Sequence, residues 1–327
     1  MIRKNFKDGA RRKLISGMAL GALVSLSWSP VNAGEVKLKA ASFLPGKVIF
    51  AKFFYDWVKQ TNSQCAGKIK ISVVGPAAIK SMKQWEAVKS GVVDMHYGPP
   101  TYYKGAAPEA GVSDLATTSF AQQRKNGAYA MIDELHQKKL NAKYIMQIMN
   151  GVQFYLYTSK PHKGGRFDGF RLRSAPLYDN FFKSLGANPL RMGAPAVYTA
   201  LERKTVDGLG WPLWGVSDFS WDKFIKYRHG PGYFSAILGT IMNINKWNSL
   251  SGDQKQCLSN SAIAYENAWP AKLKAQDAKE AARQKQNGVQ YVDMGANFPA
   301  TATKLYWKEM EKHNPSWIAK IKPLLTQ

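Results

Sequence analysis

Cysteine is nearly missing from this chain: Cys65 and Cys257 are the only two in 327 residues. Two cysteines cannot supply a four-cysteine zinc site or a dense disulfide framework. Histidine is sparse too, and His96, His136, His162, His229 and His313 show no metal-ligand spacing such as HExxH. The chain also lacks a GxxxxGK[ST] phosphate loop, a GxSxG nucleophile elbow and a GxGxxG turn after a strand. No metal and no cofactor is therefore expected, and no residue set marks an enzyme. A secreted hydrolase or lyase needs a nucleophile or an acid/base pair, and the sequence names neither. Beyond residue 33 no stretch stays apolar for 18 residues, so no ordinary membrane span is expected there.

Acidic residues are in short supply. Lys and Arg number 46 against 22 Asp and Glu, a net charge of +24. Residues 1–33 hold six of the basic residues and one acid, which leaves the remainder at +19. So basic a chain attracts anions: nucleic acid, an acidic membrane face or small organic acids. The lysines of LHQKKLNAK (135–143) suit a solvated helix face. No recognised nucleic-acid-binding motif accompanies them, so nucleic acid is not expected as a partner.

What is present begins with an export signal. A basic stretch runs to Lys13, an apolar one from Leu14 to Trp28, and Pro30-Val31-Asn32-Ala33 closes with small residues suited to cleavage. Arg11-Arg12-Lys13-Leu14-Ile15 also fits a twin-arginine signal, and the sequence leaves the export route open. No Cys follows Ala33, as a lipid-anchored end requires. The mature chain is expected in an exported compartment that permits disulfides. Cys65 and Cys257 either bridge or remain two thiols.

Residues 36–42, 68–75 and 92–98 read as strands separated by helical patterns at 50–62 and 80–90. That rhythm predicts a parallel sheet with covering helices. A helix over 124–140 and strands at 142–149 and 154–159 follow. A second α/β series starts at GFRLRSA (169–175), with a helix over 178–186, a strand at 188–192, a helix over 195–203 and a strand from 206. YFSAILGTIMNI (233–244) reads as one long buried strand. Ser251 and Gln254 form a capping box before a helix running to about Gln286, strained near Pro270. A strand at 288–294 and two helices finish the chain. With no flexible linker between the two blocks, the expected plan is a clamshell: two lobes, a hinge and a cleft.

The stretch 169–212 carries the chemistry. Arg171 and Arg173 lie two apart on one strand, hence on one face. Helix starts follow near Pro176 and Pro195. A guanidinium and helix N-termini aimed into a cleft make a carboxylate receptor.

Those residues resemble the periplasmic solute-binding proteins of TRAP transporters, the DctP-like family. Gly169, Arg171 and Arg173, Leu185-Gly186-Ala187-Asn188-Pro189, Val197-Tyr198-Thr199-Ala200-Leu201 and Val206-Asp207-Gly208 match its signature in order. Glu86-Ala87-Val88 with Gly91 and Asp94, and Asn245-Lys246-Trp247 with Leu250-Ser251, are similar to two further blocks. The resemblance implies a two-lobed α/β periplasmic-binding-protein fold with hinge strands and a long hinge-spanning helix. Lobe I is expected over 34–157 plus about 240–280, and lobe II over 158–239 plus about 281–327. It implies capture of an organic acid without chemistry, and delivery to small and large membrane permease subunits. An exported binder serving an ABC transporter or a sensor is the alternative. Arg173 occupies the family's carboxylate-pairing position, and Arg171 a structural or exposed one. Trp211 stands about where the family often has Asn. That departure, with Trp214, Phe154, Tyr97, Phe43 and Tyr102 as candidate walls, leads to an aromatic or partly apolar carboxylate as the expected ligand.

Overall fold

The computed structural model describes residues 34–326. The expected export signal, residues 1–33, lies outside the described residues. Among those described, no helix is long and apolar enough to cross a membrane.

Alternation of Val36, Leu38 and Ala40 with lysines forms strand β1 (Val36–Ser42). In the helix Ile49–Gln64, the residues Phe50, Phe54, Trp57, Val58 and Thr61 recur at helical spacing and are all buried. Strands β2 (Ile69–Val74), β3 (Met95–Gly98) and β4 (Ala142–Ile148) follow. The expected helix 124–140 is two helices, Phe120–Asn126 and Ala128–Leu140. They break at Gly127, whose φ of 94° is left-handed.

The second series supplies β5 (Gln153–Thr158), β6 (Arg171–Ser174), β7 (Asn188–Arg191), β8 (Gly208–Pro212) and β9 (Tyr227–Ser235). Then come β10 (Leu238–Asn243) and β11 (Gln290–Asp293). Two sheets result. One has the order β2-β1-β3-β10-β4, the other β11-β9-β5-β8-β6-β7. The expected lobe boundary at 157 falls inside β5, which pairs wholly within the six-stranded sheet.

The single strand expected over 233–244 is not one strand. The chain leaves the six-stranded sheet at Ser235, turns through Ala236 and Ile237, and enters the five-stranded sheet at Leu238. The run from Tyr233 to Asn243 carries no sign of this, because it stays buried on both sides of the turn. A second crossover runs beside it at Met149–Val152, and the Ala236 amide donates to the Val152 carbonyl at 2.8 Å. The capping box forms as expected, with Ser251 and Gln254 exchanging bonds at the start of the helix Gly252–Asn267. Pro270 strains nothing, since it sits in the first turn of a separate helix, Trp269–Gln286. That helix spans the fold. Trp269 donates to the Asn150 carbonyl at the crossover, and Gln284 to the Leu213 carbonyl after β8.

The two cysteines form a disulfide, with Cα atoms 5.9 Å apart. It joins the end of the helix Ile49–Gln64 to the helix Gly252–Asn267.

Candidate ligand-binding site

Strands β1 and β3 run parallel, as do β6, β7 and β8. The C-terminal ends of β1, β3, β6 and β8 open toward one cavity, the position at which α/β sheets hold ligands. Phe43 follows β1, and Pro99, Thr101 and Tyr102 follow β3. Arg173 and Ala175 come from the end of β6, and Trp211 and Pro212 from the end of β8. Phe154 lies opposite Pro212 on β5. Ala236 and Ile237 of the crossover close one wall. The empty volume, mouth included, is about 560 Å³.

Arg173 is 4% exposed. Its Nε donates to the Met192 carbonyl at 3.0 Å, and its Nη1 donates to Tyr178 Oη at 2.7 Å and to the Gly210 carbonyl at 3.0 Å. Those bonds use three of its five N–H groups. The two on Nη2 meet no protein acceptor among the described residues. The guanidinium carbon lies 5.2 Å from the centre of the Trp211 ring, a cation–π approach. Tyr178 also donates to the Gly210 carbonyl at 2.8 Å. Burial raises the Tyr178 phenol to about 12, with the Arg173 charge opposing, so it stays a neutral clamp. Arg171, the other arginine of the strand, is exposed and pairs with Asp207 at 3.2 Å, which ties the start of β6 to the residue before β8.

Five of the seven residues expected at the site meet around the cavity: Arg173, Trp211, Phe154, Phe43 and Tyr102. Tyr97 and Trp214 stand outside its lining. Tyr97 is fully buried behind it, stacked on Phe54 at 4.4 Å with its hydroxyl on the Phe50 carbonyl. Trp214 packs on Phe53 and Trp269, and its indole N–H donates to Asp277 at 2.6 Å. The indole N–H of Trp211 is spent on the Trp214 carbonyl at 3.0 Å, so Trp211 presents an apolar wall and no free donor. The helix start near Pro195 also stays out of the lining, and its neighbour Met192 serves Arg173 through a carbonyl instead.

Phe50, Asp114, Tyr178 and Ile237 also belong to the lining and were not among the candidates. Phe50 reads as an ordinary core position of a helix. Asp114 lies in an irregular 3-10 segment, Pro108–Leu115, without periodicity. Only Tyr178, inside the signature stretch, had a signal within reach.

The sequence profile of the bacterial extracellular solute-binding proteins of family 7, DctP, matches residues 42–313. The chain belongs to that family. Among curated relatives, the 2,3-diketo-L-gulonate-binding periplasmic protein YiaO of Escherichia coli K12 is 24% identical over 281 residues. The match covers 82% of this chain and 84% of that protein. Among solved structures, a TRAP periplasmic solute-binding protein of Desulfovibrio desulfuricans with bound sn-glycerol-3-phosphate superposes with a TM-score of 0.78 at 19% identity. It covers 88% of this chain and 96% of the other. DctP7 of Bordetella pertussis, an extracytoplasmic solute receptor binding pyroglutamic acid, gives 0.77 at 14% identity, over 88% and 99%. The DctP protein described here thus has the two-sheet clamshell fold of TRAP solute-binding proteins.

Proposed function

We propose that this DctP protein captures a small organic acid in the cavity between its sheets, with Arg173 taking the ligand carboxylate. The observation that carries this reading is the Arg173 guanidinium. It is buried and locked by Met192, Tyr178 and Gly210, with Nη2 uncommitted beside an apolar wall. Fixing the guanidinium beforehand spares the ligand the ordering of a flexible side chain. Apolar walls of Phe43, Phe50, Phe154 and Trp211 lower the local dielectric and strengthen the ion pair. They favour an aromatic or partly apolar acid over a sugar acid.

The lobes, carried by the two sheets, close on the ligand about the crossovers Met149–Val152 and Ala236–Ile237, with the helix Trp269–Gln286 spanning both. Closure presents a surface to the small and large subunits of a TRAP permease. The reaction is binding, with no bond made or broken. Residues 1–33 act as the export signal that delivers the chain to the periplasm. The net charge of +19 beyond them raises the encounter rate with anions. Release to a permease requires reversible binding, so affinity is expected from sub-micromolar to micromolar, about −8 to −11 kcal/mol.

A thermal-shift screen over carboxylic acids, followed by calorimetry on the hits, tests this. Arg173→Ala is expected to lose about 3–5 kcal/mol of binding, since it strands a buried carboxylate, with the fold intact by circular dichroism. Unchanged affinity overturns the role of Arg173. A ligand recovered chemically altered overturns pure binding.

A further inference from the structure

Asp114 lines the same cavity as Arg173 and is 3% exposed. Its Oδ1 accepts the amide of Ile237, in the crossover between β9 and β10, at 3.2 Å. Its Oδ2 is buried and has no hydrogen-bond partner among the described residues. One backbone donor is little support for a buried carboxylate, and an ionised group there lacks the solvation that charge demands.

Among the described residues, the groups facing Asp114 offer no cation. Tyr103, Tyr144 on β4 and Tyr306 of the helix Asn297–Glu311 surround it as neutral phenols, each held above its usual range mainly by burial. On its own segment, Glu109 is paired with Lys139. Burial holds the Asp114 carboxyl well above the usual carboxylate range. A neutral acid needs an acceptor for its proton, and Oδ2 has none among the described residues.

We propose that Asp114 stays protonated in the loaded site and donates from Oδ2 to a carbonyl oxygen of the bound acid, while Arg173 holds the carboxylate. The proposal rests on the reading of Arg173 above. It names the ligand class as a monocarboxylate bearing a carbonyl on a largely apolar frame. A carbonyl oxygen accepts and never donates, which matches a neutral acid. A second ligand carboxylate brings a second charge with no second cation to meet it. A ligand ammonium requires Asp114 ionised.

Calorimetry with two matched probe sets tests this. Pyroglutamate, cyclopentanecarboxylate and proline form one; 4-methyl-2-oxopentanoate, 4-methylpentanoate and leucine form the other. The carbonyl-bearing acid of at least one set is expected to bind about 10- to 100-fold more tightly than its carbonyl-free match, because an unpaired buried donor is penalised. Its affinity is expected to fall as pH rises and Asp114 ionises. Asp114→Leu is expected to lose the preference. Asp114→Asn, which restores a donor, is expected to recover it and flatten the pH profile. Preference for the ammonium acids, no recovery in Asp114→Asn, or no binding of either carbonyl acid at millimolar concentration overturns the proposal.

Infrared difference spectra of wild type against Asp114→Asn at pH 7, without ligand, are expected to show the carbonyl stretch of a protonated carboxyl. Its absence overturns the proposal independently of any probe. Carbonyl acids that bind equally well to Arg173→Ala defeat the arginine reading. Binding that needs Arg173 but ignores Asp114 defeats only the present proposal.

Discussion

Tyr178 Oη lies 2.7 Å from Arg173 Nη1 and 2.8 Å from the Gly210 carbonyl, so one phenol fixes the guanidinium to the middle of β8. Tyr178 is buried, and its ring packs on Phe182 at 5.0 Å. It positions the arginine through its hydroxyl and holds itself through its ring.

Tyr178→Phe keeps the ring and removes the hydroxyl. The Gly210 carbonyl and Arg173 Nη1 still share their direct bond at 3.0 Å. The fold is expected to lose no more than about 1–1.5 kcal/mol, the net value of a hydrogen bond. Ligand affinity is expected to weaken about tenfold as the guanidinium gains freedom. Calorimetry beside a urea denaturation curve separates the effects. Full affinity in the variant removes the positioning role.

His96 and His136 are fully buried, and burial holds them at about 3 and about 4. The unfolded chain takes up protons at these positions near pH 6.5, before the folded protein does. Their contribution to stability is therefore intact above about pH 6.5 and falls as pH drops below it. Each loses about 1.4 kcal/mol per pH unit, on the order of 2 kcal/mol at pH 5. Asp114 and Glu266, held above the usual carboxylate range by burial, push the other way. A variant isolates the histidine contribution from theirs. Between pH 7.5 and pH 5, wild type is expected to lose about 2 kcal/mol relative to His96→Leu in urea denaturation. Parallel pH profiles for the two proteins refute this.

The disulfide closes a loop across a sequence separation of 192 residues. Chain-entropy reasoning puts its worth at about 5 kcal/mol, with typical values of about 2–4 kcal/mol. The Thr61–Ser261 hydroxyl contact at 2.7 Å and the buried face of the helix Ile49–Gln64 hold the same helices together without it. The double variant Cys65→Ser/Cys257→Ser is expected to fold with stability lowered by about 2–5 kcal/mol. Neither cysteine lines the cavity, so ligand affinity is expected to stay within twofold. Denaturation midpoints and calorimetry check the two halves.

By itself the sequence determined the local elements whose signals are local. Period-two alternation marked β1, helical spacing marked Ile49–Gln64, and the Ser251–Gln254 pair marked a helix start that forms both its bonds. The ordered signature from Gly169 to Gly208 pointed to the family, and its resemblance put Arg173 at the carboxylate-pairing position, because a signature is read from residue order alone. Tertiary structure decided the rest. Whether β9 and β10 were one strand or two depended on which sheet each half paired with, and hydrogen bonding to distant strands leaves no mark on an apolar run. Trp211 and Trp214 are alike in sequence, yet one faces the cavity and the other packs on Phe53 and Trp269. Asp114 became a buried acid because distant parts of the chain, the crossover at Ile237 and the tyrosines Tyr103, Tyr144 and Tyr306, closed around it. Burial and dielectric belong to the assembled chain, and they are what turn an ordinary carboxyl or indole into part of a site.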